Sequence, residues 1–221
     1  MSRQFYITDV FSEGPYAGNQ LATISEADGL GTDEMQKIAR AFNFAETTFI
    51  TGGSLELGFD VRIFTPNTEL PFAGHPTLGT SYLVRDKILN TRVSETVSEI
   101  VLNLGVGPIP VSFGADGVLW MQQNKPAFGQ CLDRAVVADE LGLAESDVHQ
   151  SLPCQFVSTG LEFLLVPLTS YEALKASCVQ TGKLAQGIFV FCLGGYSPQQ
   201  QIKARMYASN LGVTEDPATG S

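Results

Sequence analysis

The feature that most constrains this chain is a motif that occurs twice. The pattern Glu-x-Pro-x-x-Gly runs from Glu69 to Gly74 in the first half and from Glu215 to Gly220 near the end of the sequence. Internal repetition of this kind indicates that two parts of the chain fold alike. We therefore predict a duplicated protein whose halves each present one glycine-led loop. Two such loops that face each other would form a cleft for a small molecule.

An arginine precedes each copy of the motif in a similar context. Arg62 stands two residues before Phe64, and Arg205 stands two residues before Tyr207, each in an alternating segment. The spacer from the aromatic residue to the motif is longer in the second copy. The duplication therefore extends beyond the glycine loops themselves.

The first copy leads into a short sequence in which a loop becomes a helix. Gly74 can adopt backbone angles closed to other residues, and Pro76 suits the first helical position. His75 then lies beside unpaired backbone N–H groups at the positive end of the helix dipole, a place that receives a carboxylate or phosphate. Taken alone, this stretch favours a turn whose histidine only caps the helix. The second copy, where Ser221 takes the place of His75, favours a functional site.

A single carboxylate, Glu46, stands among apolar and hydroxyl residues where a new strand begins. An exposed strand glutamate is the simpler interpretation. If Glu46 instead faced a sheltered cleft, loss of water would raise its pKa and suit it for general acid–base catalysis.

The apolar periodicity predicts short strands, mostly joined by turns, with few helices. We predict a helix that Thr32 caps, a helix from His75 to about Asp86, a helix over 134–141, and one that begins with a capping box at Thr169. This pattern indicates an α+β fold with antiparallel sheets rather than repeated βαβ units.

The length of 221 residues suits one large domain or two small ones. The polar stretch 122–129 is the best candidate for a linker. We predict an N-terminal lobe of residues 1–122 and a C-terminal lobe of residues 123–221.

The charge balance limits the partners. With 23 acidic and 13 basic residues, the net charge of −10 argues against nucleic acid or an anionic membrane as the main partner. The N-terminus lacks the pattern of a signal peptide, and no apolar run is long enough to span a membrane. The four cysteines lack metal-type spacing. We expect reduced thiols and a cytoplasmic protein.

No GxGxxG, Walker, HExxH or GxSxG pattern is present in the sequence. Five other segments occur in a recognisable order along the chain: Val10-Phe11 with Tyr16-Ala17-Gly18-Asn19, Glu46-Thr47-Thr48-Phe49, Pro71 to Thr77, Ser158-Thr159-Gly160, and Asp216 to Ser221. With these segments the sequence resembles the PhzF family of phenazine-biosynthesis-type isomerases, relatives of diaminopimelate epimerase. It departs from the family pattern at Tyr16, Gln20 and Ala45.

The resemblance implies two similar lobes, each a curled, mainly antiparallel sheet around a central helix, with the active site between them. It implies that Glu46 is the acid/base that moves a proton between carbons of a small carboxylated or cyclic metabolite. It also implies a set of residues that line and polarise the site or let the backbone approach the ligand: His75, Asp216, Ser221, Gly74, Gly220 and Asn19. A homodimer is expected on the same ground.

The related epimerases use two thiols, one immediately before the glycine of each loop. Ala73 and Thr219 occupy those positions here. Racemisation by two thiols is therefore disfavoured, and a proton shift centred on Glu46 is the consistent alternative. Such a shift needs no redox cofactor and no metal.

Members of the resembled family continue beyond the second motif with the central helix of the second lobe. We therefore expect a second lobe that is incomplete at Ser221, and a chain that is poorly active or unstable alone. A terminal carboxylate beside Asp216 would be electrostatically unfavourable at an anion site.

Two other functions stay open. The first is a non-catalytic ligand-binding or interaction protein on the same scaffold. The second is a hydrolase that uses Asp216, His75 and Ser221. The hydrolase is the weaker alternative because Ser221 lacks a nucleophile-elbow context and is the last residue.

Overall fold

The computed structural model describes residues 3–89 and 96–220. They form two compact units. The first comprises the described residues through 124 together with 218–220, and the second is Lys125–Pro217. The lobe boundary after residue 122 stays a prediction.

The first unit contains a mixed, mainly antiparallel sheet in the order β1-β2-β3-β4-β6-β7-β8, with β5 paired to β4. Only the β2–β3 and β4–β6 pairs are parallel. The strands are β1 (Phe5–Val10), β2 (Asn19–Ile24), β3 (Glu46–Ser54), β4 (Gly58–Phe64), β5 (Glu69–Leu70), β6 (Glu99–Leu104), β7 (Gly107–Phe113) and β8 (Leu119–Met121).

Two helices cover the two faces of this sheet. Helix α1 (Thr32–Phe42) is amphipathic and buries Met35 and Ala39 against Phe49 and Phe64. Its apolar stripe forms core, as the helical spacing predicts.

Helix α2 (Gly74–Leu83) is buried along most of its length, and it contacts β1, β2, β3, β6, β7 and β8, so the sheet curls around it. Its small residues permit this close packing, since a Cβ on Gly79 would lie 2.7 Å from side-chain atoms of Leu21 and Val10. A π-helical turn, Val84–Ile88, follows.

The second unit repeats the strand connections of the first. Its sheet has the order β14-β13-β12-β11-β10-β9, in which only β11 and β12 are parallel. Helix α3 (Arg134–Glu140) buries Val137 and Ala138 in the core of this unit, and helix α4 (Tyr171–Ala176) buries Ala173 and Leu174 there. The strands are β9 (Ala127–Leu132), β10 (Cys154–Ser158), β11 (Glu162–Pro167), β12 (Ile188–Leu193), β13 (Ile202–Ala208) and β14 (Val213–Asp216).

The same series of pairings occurs in both units. From β1 to β5, successive strands pair antiparallel, parallel, antiparallel and antiparallel, and β10 to β14 do the same. The predicted α+β fold with two similar, mainly antiparallel sheets is confirmed. Within residues 3–89 and 96–220, no helix is long and apolar enough to cross a membrane.

Two predicted helix caps are wrong. Gly31 is the N-cap of α1, and the Thr32 hydroxyl instead accepts a hydrogen bond from Arg62. Ser170 caps α4 by accepting from the Ala173 N–H, while the Thr169 hydroxyl donates to the backbone carbonyl of Asp147. In both cases a tertiary partner outside the helix engages the threonine.

Two other local expectations also need correction. Pro76 is the third residue of α2 rather than the first, a position that tolerates proline because the first N–H groups of a helix have no intrahelical acceptor. The polar stretch 122–129 is not wholly a linker, since β9 begins at Ala127.

Candidate functional site

The site centres on Glu46 and His75 in the first unit. Glu46 is the first residue of β3 and is only 9% exposed, while His75 is 2% exposed. The Glu46 Oε2 atom lies 3.3 Å from Nδ1 of His75. Residues two apart on a strand share a face. Thr48 accepts a hydrogen bond from Thr80 of α2, so Glu46 is on the face that α2 covers.

His75 lies in the first turn of α2. The N-cap residue, Ala73, contributes no side-chain hydrogen bond, and the first turn contains no acidic residue. The positive end of the helix dipole is therefore not compensated by a residue of the helix itself. Gly74 begins this helix, and its φ is not positive, so no unusual backbone angle requires glycine there.

Asn19, the first residue of β2, contacts the same histidine. Its side chain is buried, with Nδ2 3.2 Å from His75 Nδ1 and 2.9 Å from the carbonyl oxygen of Ala218. An amide nitrogen only donates. Asn19 therefore joins the first strands of the chain to the segment that contains the second glycine loop.

The two glycine corners lie next to each other. A Cβ built on Gly220 would be 3.6 Å from the carbonyl carbon of Gly74 and 2.8 Å from Cζ of Phe11. The side-chain amide of Gln123 donates to the Gly220 carbonyl over 2.7 Å. A larger residue at position 220 would displace the Phe11 ring.

Phe11 and Gln123 were not predicted as site residues. Phe11 has a φ of +58°, which is uncommon for a residue other than glycine and is found at functional sites. No local sequence pattern predicts this backbone conformation of Phe11. The family-type segment that begins at Val10-Phe11 was the only available indication.

Asp216 belongs to a different unit from Glu46 and His75. Asp216 is the last residue of β14 in the second unit, where it pairs with Met206. Ser221 lies outside the described residues. Among the described residues, no group of three or more His, Cys, Asp or Glu side chains could hold a metal ion.

Burial lowers the pKa of His75 to about 4, and a backbone hydrogen bond at Gln20 opposes this shift only in part. The imidazole is therefore neutral near pH 7. The Asn19 amide nitrogen, which can only donate, is directed at Nδ1 of this ring. Nε2 is buried and has no hydrogen-bond partner of good geometry among the described residues.

These features define a class of protein: an α+β fold with two related sheets and a sheltered carboxyl–imidazole pair at a helix N-terminus. The chain belongs to the PhzC-PhzF family of phenazine biosynthesis-like proteins, whose family model matches residues 8–221. The resemblance inferred from the motifs is thereby confirmed.

Individual relatives agree with this assignment. An uncharacterized isomerase of Pasteurella multocida (strain Pm70) is 34% identical over 98% of this chain and 73% of its own length. The trans-2,3-dihydro-3-hydroxyanthranilate isomerase of Pseudomonas aeruginosa is 30% identical over 99% of this chain and 76% of its own. A PhzF-family crystal structure from Bacillus anthracis has a TM-score of 0.84 and 27% identity, covering 100% of this chain and 77% of that one. The predicted isomerase class is confirmed by this membership.

Proposed function

We propose that the protein is a cofactor-independent isomerase that moves a proton between carbons of a small carboxylated or cyclic metabolite, with Glu46 as the acid/base. The observation that carries the proposal is the buried Glu46 carboxyl group 3.3 Å from Nδ1 of a neutral His75. A carboxyl group can serve both steps, since the carboxylate removes a proton beside an activating group and the acid returns it to another carbon.

The surroundings of Glu46 suit both protonation states. Nδ1 of His75 faces Glu46, so an unprotonated Nδ1 can accept the hydrogen of a protonated carboxyl group, and a protonated Nδ1 can donate to the carboxylate. The buried Glu46 carboxyl group is therefore placed to exchange a proton with a bound substrate.

The start of α2 supports the binding of an anionic substrate. The first-turn N–H groups and the helix dipole favour negative charge at Gly74 and His75. The same groups would stabilise charge that develops on the substrate when the proton leaves carbon. Gly220, close to Gly74, keeps this corner free of side-chain bulk.

The proposal assigns further contacts to the other predicted residues. Asn19 orients His75, and Asp216 and Ser221 contribute to the binding of the substrate. The name of the Pseudomonas aeruginosa relative supplies a suitable probe, trans-2,3-dihydro-3-hydroxyanthranilate, which is both cyclic and carboxylated.

The test is proton exchange in deuterated solvent, followed by mass spectrometry and NMR of the recovered probe. The wild type should incorporate solvent deuterium at carbon. Glu46→Gln removes the acid/base and should slow incorporation by about 10²- to 10⁴-fold. Glu172→Gln changes the same functional group at an exposed position and should leave the rate unaltered.

Thermal unfolding establishes that both variants are folded. Wild-type exchange rates in Glu46→Gln would remove Glu46 from the proposed role. Binding of the probe by the wild type, without any exchange, would favour the non-catalytic ligand-binding alternative.

A further inference from the structure

An ion pair of defined geometry lies just before the first glycine loop. Arg62 of β4 donates from Nε and Nη2 to the two carboxylate oxygens of Glu69, over 2.7 and 2.6 Å. Nη2 also donates to the Thr32 hydroxyl in the first turn of α1, over 3.0 Å. Two parallel hydrogen bonds between a guanidinium and a carboxylate fix the relative orientation of both groups.

The second unit contains the same two-point ion pair, although the remaining guanidinium donor, Nη1 of Arg205, bonds backbone carbonyls such as that of Ser177. Arg205 of β13 donates from Nε and Nη2 to the two oxygens of Glu215, each over 2.8 Å. The guanidinium of Arg62 lies 5.1 Å from the centre of the Phe64 ring, and that of Arg205 lies 5.0 Å from the centre of the Tyr207 ring. The repeated sequence pattern therefore corresponds to a repeated structural device.

The position of the pair suggests what it does. Strand β5 is two residues long and pairs with β4 through Ile63–Leu70 and Phe64–Glu69. A pair of strands this short has few backbone hydrogen bonds. The Arg62–Glu69 ion pair adds a side-chain connection between the same two strands. The chain then reaches the start of α2, and hence His75, within a few residues.

The partial exposure of the Arg62–Glu69 ion pair limits what it can contribute to the free energy of unfolding. The two side chains are 30% and 38% exposed, and they border an open cavity of about 460 Å³ on which Asp60 and Asn103 also lie. Exposed ion pairs contribute little to the free energy of unfolding. Their planar, two-point geometry is better suited to holding a strand at a fixed place.

We propose that Arg62 is a positioning residue, which holds Glu69 and with it the β5–α2 loop, so that His75 stays beside Glu46. This inference rests on the proposed function only where it predicts a change in the rate of proton exchange. Its effect on the surroundings of His75 can be measured independently of any substrate.

The experiment compares Arg62→Gln, Arg62→Lys and the reversed pair Arg62→Glu with Glu69→Arg. An NMR titration of the histidines reports on His75, with His149→Gln used for assignment. A loosened loop admits water to the buried imidazole, so its titration should move from about pH 4 towards the ordinary value near 6.5 in Arg62→Gln. Deuterium exchange into the probe should fall by about 10- to 100-fold, since small misplacements of catalytic groups are costly.

Arg62→Lys keeps the charge but loses the two-point geometry, and it should resemble Arg62→Gln. The reversed pair should restore both readouts towards the wild type. Lys175→Gln, which removes an exposed ion pair to Glu172, should change neither. If Arg62→Gln fails to fold, Glu69→Gln provides the same comparison from the other side of the pair.

A fall in melting temperature with an unchanged His75 titration would overturn the proposal and leave the pair a purely stabilising contact. Failure of the proposed function would give a different result. Glu46→Gln would then keep the wild-type exchange rate, while the NMR titration of His75 would still show whether Arg62 positions the loop.

Discussion

The side-chain amide nitrogen of Asn19 lies 3.2 Å from Nδ1 of His75, so strand β2 places a hydrogen-bond donor against the buried imidazole. The amide is itself oriented, because the same nitrogen donates to the Ala218 carbonyl. Burial keeps the ring neutral, because it lowers the pKa of His75 to about 4. Two consequences of this arrangement, and a third prediction for the second unit, can be measured.

The first concerns stability against pH. The folded-state pKa of His75, about 4, lies below the ordinary 6.5. Between these values the unfolded chain binds a proton that the folded chain does not, so stability falls as pH decreases from 6.5 to 4. The loss attributable to His75 is at most about 3 kcal/mol. Chemical denaturation at a series of pH values measures it.

His75→Gln should flatten the stability profile in this window, since glutamine does not titrate. His149→Gln should keep the profile, because it leaves His75 buried. An equally steep decline in His75→Gln would show that other groups cause the acid sensitivity.

The second consequence concerns Asn19→Asp. An ionised aspartate beside Nδ1 favours the imidazolium, so the pKa of His75 should rise above its value of about 4. The variant also loses the hydrogen bond to Ala218 and should be destabilised by about 1–3 kcal/mol. NMR titration and thermal unfolding measure the two effects.

Asn19→Leu is the matched control, since it removes the donor without adding charge. We expect a similar loss of stability but no rise in the pKa of His75. A rise of equal size in both variants would contradict an electrostatic cause.

The third prediction concerns Glu140, which lies at the end of α3 in the second unit. Burial by itself would raise the pKa of Glu140, but hydrogen bonds from the Thr181 backbone and hydroxyl and from the Gly182 backbone hold it below the usual value. A lowered pKa contributes stability above the ordinary value of 4.5 that is lost as pH falls through the folded-state pKa.

Glu140→Gln places an amide N–H₂ group among donors and should cost about 1–3 kcal/mol at pH 7. The deficit should shrink as pH falls below 4.5, because the unfolded wild type then takes up a proton that the folded form still lacks. Denaturation at pH 7 and pH 3.5 tests this, with exposed Glu172→Gln as the control. A deficit that stays constant with pH would mean that the charge of Glu140 has no part in it.

Much of the fold follows from local patterns. The spacing of Met35 and Ala39 predicts α1, and the small residues after His75 predict an enclosed helix, because periodicity records which face is buried. The predictions that Thr32 and Thr169 cap helices were wrong, because a hydroxyl group forms a hydrogen bond with whichever partner the tertiary fold places nearby. The φ of Phe11 is likewise imposed by packing rather than by residue type.

The sequence by itself determined the duplication, the family, and the choice of Glu46 and His75 as candidate site residues. These are properties of residue type and spacing. Only the tertiary structure decided that Glu46 and His75 meet, that Asn19 contacts the imidazole, and that Gly74 adjoins Gly220. These relationships join residues far apart in the chain, and the burial that makes the imidazole neutral exists only once strands and helix pack together.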